Sequence, residues 1–192
     1  MNVVAGLSSG LQDGLFARLS EYRCKVFVEK LGWNLKHENG QELDQFDRPD
    51  TLYVVAQDEA GNVQGCARLL PTLHPYLLSE VFPEILHGMA APCTPDVWEL
   101  SRFAAVDFNS LKTSALGQFS SPIAVKLLEE SLAIAGRQGA KRLITVSPIG
   151  VERLLYKAGF LVHRAAPPIM TADGHPLVAC LIEVPESQRA EH

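Results

Sequence analysis

Arginines and carboxylates occur in this sequence within segments that are otherwise mostly apolar. Arg68 lies in Gly65-Cys-Ala-Arg-Leu-Leu70, and both Glu99 and Arg102 lie in Trp98-Glu-Leu-Ser-Arg-Phe103. A guanidinium binds a carboxylate through two parallel hydrogen bonds, and a carboxylate can accept a proton from a reacting group. These residue types can therefore hold a charged ligand and move a proton, although a strand arginine is often only an outward-facing surface residue.

Two further blocks of polar and aromatic residues precede these strands. One is Tyr22-Arg-Cys-Lys-Val-Phe-Val-Glu-Lys-Leu-Gly-Trp33, and the other is Glu42-Leu-Asp-Gln-Phe-Asp47. Aromatic faces can contact a ligand ring or a cation, and carboxylates can balance cationic groups. The plainer alternatives stay open, since single phenylalanines are usually core residues and loop aspartates are usually solvated.

The hydrophobic pattern predicts the elements that must position these residues. We expect helices over residues 11–29, 79–86, 122–136 and 148–158, and strands over 51–57, 63–70, 97–106, 143–147 and 177–184. Gly32 and Gly159 should end the helices before them, Ser79 should cap the second helix, and residues 34–50 should form a loop. This order predicts an α/β fold with a single mixed sheet flanked by helices, in one domain over residues 1–192.

Composition excludes several classes of protein. The chain has 192 residues, 47% of them apolar, and a net charge of −5. No apolar run approaches the roughly 20 residues that span a bilayer, and the N-terminal residues do not resemble a secretory signal, so we expect no membrane partner and a cytoplasmic location. The scattered cysteines and histidines give no support for a metal. The acidic total, without a dense basic stripe, disfavours nucleic acid.

The last third of the chain resembles the closing half of the N-acetyltransferase-like fold, a three-layer sandwich. The resemblance rests on Arg142-Leu-Ile-Thr-Val-Ser147 followed by Gly150-Val-Glu-Arg-Leu-Leu-Tyr-Lys-Ala-Gly-Phe160. Acetyltransferases of this fold hold the pyrophosphate of coenzyme A on a glycine-rich turn after the central strand. Residues 107–119 contain one glycine and no such turn. This favours an acyl donor that is held in another way.

The four N-terminal blocks, in their order and spacing over about residues 20–105, resemble the acyl-homoserine-lactone synthase (autoinducer synthase) family. The resemblance implies an acyltransferase that joins an acyl group to S-adenosylmethionine, a substrate, with no prosthetic group and no metal. It implies S-adenosylmethionine contacts at Arg23, Phe27, Trp33, Asp44, Asp47, Arg68, Phe82, Arg102 and Phe103. Since arginines and carboxylates also order one another, some of their pairs are expected to be structural.

The chemistry that the resemblance implies has two steps. The substrate amine must lose a proton before it attacks the thioester, and Glu99 is our candidate base, with orientation of an arginine such as Arg102 as the alternative. Backbone N–H groups near Ser101 to Phe103 are the candidate donors to the tetrahedral oxyanion. The substrate carboxylate then closes the lactone and expels methylthioadenosine.

An apolar pocket must hold the acyl chain. Its candidate residues, which are equally candidates for plain core, are Trp98, Leu100, Leu127, Leu128, Ile144, Thr145, Val146, Ser147 and Leu155. Ser147 matches a position where some relatives carry threonine and accept a 3-oxo chain, so serine favours an unsubstituted chain of medium length. The alternative role of Ser147 is to cap the helix that begins at Pro148.

Residues 112–164 carry an excess of Lys and Arg over Asp and Glu. They suit either a solvated helix face or a surface for an acidic acyl carrier protein, with Lys126, Arg137, Lys141, Arg142, Arg153 and Lys157 as the candidate contacts. Two other functions stay open. One is an enzyme that uses acyl-coenzyme A and another amine, and the other is a lactone-sensing module, although no helix-turn-helix region accompanies it.

Overall fold

The structure is a computed structural model that describes residues 1–108, 121–171, 174 and 176–189. In residues 107–119 the sequence shows no phosphate-binding turn, and all of this segment after Phe108 lies outside the described residues. Within them, no helix is both long enough and apolar enough to cross a membrane.

The elements follow the α/β order that the sequence predicts. The helices are α1 (Leu15–Arg23), α2 (Leu77–Val81), α3 (Pro122–Arg137) and α4 (Ile149–Lys157). The strands are β1 (Asn2–Leu7), β2 (His37–Glu38), β3 (Gln41–Glu42), β4 (Leu52–Gln57), β5 (Val63–Pro71), β6 (Val97–Ala104), β7 (Arg142–Pro148), β8 (Val162–Arg164), β9 (Ile169–Met170) and β10 (Pro176–Glu183).

The chain forms two compact units, each built from two stretches of sequence. The first comprises Met1–Arg68 and Arg102–Glu130, with strands in the order β1-β4-β5-β6. The second comprises Leu69–Ser101 and Ser131–His192, with the order β5-β6-β7-β10-β8. In the second unit β6 is parallel to β7, whereas β10 is antiparallel to β7 and to β8. The predicted mixed sheet flanked by helices is confirmed, while the single domain over 1–192 stays a prediction.

The first helix begins later than predicted. Gly14 has a φ of 73°, a left-handed conformation that an α-helix cannot contain, so α1 begins at Leu15 and not at Leu11. From Cys24 to Lys30 the chain continues as a π-helix. Such widened turns are uncommon and often lie at functional sites. Gly32, with a φ of 69°, ends the helical segment as predicted.

The predicted loop at 34–50 contains the short hairpin β2–β3. Its turn is Asn39-Gly40, with φ angles of 52° and 76°. Asn-Gly is a strong hairpin signal, but the flanking strands have only two residues each and show no alternating pattern. The strand β1 was not predicted either. It pairs with β4 from Asn2 to Leu7 and is only half-buried, so it has little hydrophobic pattern to detect.

The predicted helix at 79–86 is divided in two. Tyr76, not Ser79, is the N-cap of α2, and the Ser79 hydroxyl accepts a hydrogen bond from the Tyr76 N–H at 3.2 Å. A 3-10 turn, Pro83–Leu86, follows after Phe82 because proline has no N–H with which to continue the helix.

The C-terminal elements otherwise follow the prediction, with α3, β7, α4 and β10 close to their predicted bounds. Pro148 has an extended conformation and ends β7, so α4 begins one residue later, at Ile149. Val151 and Leu155, four residues apart, are buried where α4 contacts β7 and β10. The short strands β8 and β9 were not predicted.

Candidate active site

Six side chains of alternating charge form a closed ring in the first unit, which we call the ion ring. Around the ring its members are Arg23, Glu42, Arg102, Asp44, Arg68 and Asp47. The successive nitrogen–oxygen distances are 2.7, 2.9, 2.8, 2.6, 3.3 and 2.6 Å. Since three arginines oppose three carboxylates, the formal charges of the ring cancel.

The ion ring connects elements that are far apart in sequence: the end of α1 (Arg23), β3 (Glu42), β5 (Arg68) and β6 (Arg102). Its other two members belong to the tight turn after β3. There the Asp44 N–H donates to Asp47 Oδ2 at 2.7 Å, and the Phe46 N–H donates to Asp44 Oδ1 at 2.8 Å. Such local bonds set the conformation of the turn, so both aspartates are aimed together.

Burial makes the pairing within the ring obligatory. The side chains of Arg23 and Glu42 are each 1% exposed, and that of Asp47 is 3% exposed. Desolvation, the largest single effect on each, opposes the charged form, but the hydrogen bonds and attraction of the ring partners outweigh it. The pKa of Arg23 is therefore raised, and the pKa values of Asp47 and Glu42 are lowered.

The two aspartates have different roles in the ring. Asp47 accepts hydrogen bonds from both terminal nitrogens of Arg23, from Tyr53 Oη at 2.8 Å and from the Asp44 N–H. Asp44 and Arg102 are the more accessible pair, with side chains 15% and 6% exposed. Asp47 is thus engaged within the protein, and Asp44 is the carboxylate that an incoming cation can approach.

An aromatic pair lies beside this open edge. The rings of Phe27 and Trp33 stack with their centroids 5.0 Å apart, and Trp33 is 45% exposed. The Arg102 guanidinium lies 5.7 Å from the centroid of Phe27. Phe27 thus contacts both the Arg102 guanidinium and an accessible indole, an arrangement that suits a ligand that combines a charged group with a ring or a cation.

Arg102 adopts an unusual backbone conformation, with a φ of 49° in the middle of β6. For a residue with a side chain this left-handed conformation costs about 1–3 kcal/mol. A residue of this kind interrupts the ladder of a strand and re-aims its own side chain. The ion ring, in which Arg102 contacts two carboxylates, is one interaction that compensates for this cost.

Three residues of this site were not predicted from the sequence. Glu42 is a full member of the ring, Tyr53 hydrogen bonds to Asp47, and Phe46 packs 5.7 Å from the Arg68 guanidinium. Glu42 lies in the same sequence block as the two aspartates. The Asn39-Gly40 turn predicts a hairpin, and this signal could have assigned Glu42 to a strand. Tyr53 follows a strand pattern that carries no functional signal.

Glu99, the candidate base, is fully buried in the second unit. Its Oε1 accepts a hydrogen bond from the Leu78 N–H at 2.7 Å, and its Oε2 accepts one from the Leu77 N–H at 3.0 Å. These N–H groups belong to the first turn of α2, where a carboxylate is favoured. Phe82, another predicted site residue, lies half-buried directly after α2.

The predicted acyl-pocket residues divide between two faces of β7. The hydroxyls of Thr145 and Ser147 lie 3.5 Å apart on one face, so Ile144 and Val146 point to the other. These four consecutive residues therefore divide between the two faces of β7, and their place in an acyl pocket stays a prediction. Among the other predicted pocket residues, Leu100, Leu127, Leu128 and Leu155 are buried and Trp98 is half-buried. Ser101, a candidate oxyanion donor, is 6% exposed. Phe103 is half-buried and belongs to the first unit.

Comparison with known proteins identifies the family. The family profile described as autoinducer synthase matches residues 11–190. An acyl-homoserine-lactone synthase of Acinetobacter nosocomialis is 55% identical over 184 residues, which cover 96% of this chain and 100% of that protein. The crystal structure of TofI in a ternary complex with an inhibitor and MTA has a TM-score of 0.80 at 40% identity, covering 96% of this chain and 92% of that chain. MesI, a CoA-dependent acyl-homoserine lactone synthase, has a TM-score of 0.81 at 26% identity, covering 97% and 91%.

The fold is that of an acyl-CoA N-acyltransferase, and with the relatives above it defines the chain as an acyltransferase. The chain belongs to the autoinducer synthase family, and its class of activity is that of an acyl-homoserine-lactone synthase. The family resemblance seen in the four sequence blocks is therefore confirmed. The roles of individual site residues stay predictions.

The ion ring predicts how stability depends on pH. Because the pKa values of Asp47 and Glu42 are lowered by folding, their contribution is complete above the unfolded values of about 4 and is lost as the pH falls through the folded ones. Urea unfolding should show a falling free energy of unfolding from about pH 5 to pH 3. Glu42→Gln should lower stability at pH 7 by about 3–5 kcal/mol and flatten this dependence.

The matched control is Glu59→Gln, in the exposed turn before β5. Its pH dependence should parallel that of the unmodified chain. An equal slope for Glu42→Gln and the unmodified chain would show that the ring carboxylate does not govern acid stability.

Proposed function

We propose that this chain transfers an acyl group from an acyl carrier protein to the amine of S-adenosylmethionine, and then releases an N-acyl-L-homoserine lactone and methylthioadenosine (MTA). The observation that carries the proposal is the open edge of the ion ring, where a carboxylate pairs with a guanidinium that lies 5.7 Å from the Phe27 ring, on which the accessible Trp33 indole stacks. S-adenosylmethionine presents an ammonium and a carboxylate on one carbon, with a sulfonium and an adenine beyond. Binding of MTA by TofI supports the same product here.

In this proposal Asp44 binds the ammonium and Arg102 binds the carboxylate. Trp33, supported by Phe27, contacts the adenine or the sulfonium. Arg23, Asp47 and Arg68 contact the ligand less than the sequence suggests, because they are deeply buried and hold the two substrate-facing members in place. Phe82 and Phe103 remain predicted contacts.

The acylation step needs a base. Glu99 lies three residues before Arg102 on β6, and its two oxygens are held in place by the Leu77 and Leu78 N–H groups of α2. We propose that it takes the proton of the ammonium, directly or through one water. The alternative is that Glu99 only positions α2, and with it Phe82.

Two bond-forming steps then take place on the substrate, acylation of its amine and closure of the lactone. The free amine attacks the thioester carbonyl, its nitrogen–carbon bond forms, and the carrier thiol departs with a proton. Backbone N–H groups near Ser101 to Phe103 stabilise the oxyanion of the intermediate. In the second step a carboxylate oxygen bonds to the γ-carbon of the same molecule while the carbon–sulfur bond breaks. Neutral methylthioadenosine leaves with the electron pair, and Arg102 holds the carboxylate in the folded-back geometry.

For the acyl chain we propose an unsubstituted chain of medium length. The hydroxyls of Thr145 and Ser147 are close enough to hydrogen bond to each other, so neither requires a 3-oxo group as a partner. Leu100 and Leu155 supply apolar surface in the same unit.

Charge and exposure on α4 favour a carrier protein as the acyl donor. Among the six predicted basic contacts, Lys126 is paired with Glu130 at 3.3 Å and Lys141 with Asp96 at 3.8 Å. Arg153 and Lys157 are exposed on α4, together with Tyr156, which is 70% exposed. A cationic helix face with an exposed aromatic side chain suits an acidic partner. Arg137 and Arg142 remain further candidates.

Coenzyme A is the alternative donor, and MesI shows that the fold can use it. The proposed location is the cytoplasm, where carrier-bound acyl groups are available. All four cysteines are free, as expected in a reducing compartment.

A product assay tests the proposal directly. Purified protein is incubated with S-adenosylmethionine and acyl carrier protein thioesters of varied chain length, with the matching coenzyme A thioesters in parallel. We expect acyl-homoserine lactone and methylthioadenosine in equal amounts from the carrier thioesters, measured by mass spectrometry. Products from coenzyme A thioesters alone would overturn the proposed donor, and no lactone from either would overturn the function.

Glu99→Gln tests the role of the base. Removal of a general base should lower kcat about 100-fold or more at neutral pH while the KM for S-adenosylmethionine changes little. The loss should shrink at higher pH, because the substrate amine, with a pKa of about 8, then deprotonates without help. A loss of activity that is independent of pH, with a lower melting temperature, would assign Glu99 to the positioning of α2 instead.

Charge reversal tests the docking surface. Arg153→Glu with Lys157→Glu should raise the KM for the carrier thioester about tenfold and leave the KM for S-adenosylmethionine unchanged. The matched control is Lys25→Glu with Lys30→Glu, an exposed pair in the first unit, which should behave as the unmodified chain. Equal effects of the two pairs would contradict a specific surface on α4.

A further inference from the structure

The left-handed backbone of Arg102 has a specific hydrogen-bond partner. The Cys66 thiol on β5 donates to the Arg102 carbonyl oxygen at a sulfur–oxygen distance of 3.1 Å. One buried thiol therefore contacts β6 directly at the point where Arg102 departs from regular strand geometry.

The surroundings bring the thiol to this position. Cys66 is 1% exposed and packs in a cluster with Tyr22, Tyr53 and Ala104. Its neighbour Gly65 lies so close to β6 that an added Cβ would be 3.1 Å from the Ala104 carbonyl oxygen. The absence of a side chain at Gly65 thus permits the close approach of the two strands that a thiol contact requires.

Cys66 is also linked to the ion ring through its own strand. Arg68 follows two residues later on β5, so both side chains point to the same face of the sheet. Burial raises the pKa of the Cys66 thiol to about 12, so the sulfur keeps the proton that it donates. The mechanism assigns no role to this group.

We propose that Cys66 is a positioning residue for the acyl transfer: its thiol holds Arg102 in the left-handed conformation that aims the guanidinium at the open edge of the ion ring. The inference rests on the proposed function, in which Arg102 binds the substrate carboxylate. Cys66 itself touches no substrate. Loss of its hydrogen bond lets Arg102 relax towards regular strand geometry and misplaces the carboxylate-binding group.

The test compares Cys66→Ala, which removes the donor, with Cys66→Ser, which keeps one. Cys66→Ala should raise the KM for S-adenosylmethionine about five- to tenfold and lower kcat, with no change in the KM for the acyl donor. Cys66→Ser should restore both constants to within about threefold of the unmodified chain, since its hydroxyl can donate to the same carbonyl. Cys24→Ala is the matched control, because Cys24 is a buried thiol of the same unit and should tolerate the change.

A purely structural role predicts a different pattern. In that case Cys66→Ala lowers the melting temperature but retains both constants well below it, or Cys66→Ser is as impaired as Cys66→Ala, and either result overturns the proposal. If Cys66→Ala does not fold, Cys66→Val, which fills the space without a donor, takes its place.

The affinity for S-adenosylmethionine, measured by calorimetry without an acyl donor, separates this proposal from the proposed function. An unmodified chain that binds S-adenosylmethionine but makes no lactone overturns the proposed reaction, while the affinities of the Cys66 variants still decide the role of the thiol. An unmodified chain that binds no S-adenosylmethionine overturns both.

Discussion

Three arginines buried in one region are the constraint around which the first unit is built. Arg23 and Arg68 are each 1% exposed, and a guanidinium at that depth requires an opposite charge within hydrogen-bond distance. The closed alternation of the ion ring meets this requirement for all six members at once. Because the members come from α1, β3, β5, β6 and the turn after β3, the ring ties these elements to one another, and loss of one member removes one of the two ring partners from each of its neighbours.

In the proposed function, the same ring is a neutral cluster that binds a charged substrate. Most of its hydrogen-bonding capacity is used internally, so its side chains are already oriented before a ligand arrives. Accessibility is confined to Asp44 and Arg102, whose opposite charges match an ammonium and a carboxylate on one carbon. The neighbouring indole of Trp33 adds an apolar face, and discrimination among amino-acid derivatives then depends on what lies beyond the α-carbon.

Periodic burial is a local signal, and it was enough to predict the mixed sheet and the helices α3 and α4. Arg68 and Arg102 were singled out as charged residues in apolar strands, whereas Arg23, Asp44 and Asp47 were named through the family resemblance. Glu42 was not predicted as a ring member, since it lies in a strand of two residues that no periodicity can indicate. The later start of α1 depends on the left-handed Gly14, and the division of β7 into two faces depends on strand geometry. Asp44 and Asp47 differ in how exposed their side chains are, and exposure is defined only once the chain has folded.

The left-handed backbone of Arg102 could not be predicted from the sequence, because a positive φ is normally indicated by glycine. An arginine is kept there because the side chain is needed, and the strain is accepted because several contacts act on the same residue. Two carboxylates bind its guanidinium and a thiol binds its carbonyl oxygen. Strain that is held by such separate contacts can persist through binding and release of a ligand, whereas strain held by the ligand alone would relax whenever the site emptied. The guanidinium that we propose as the carboxylate ligand is therefore in place before the substrate arrives.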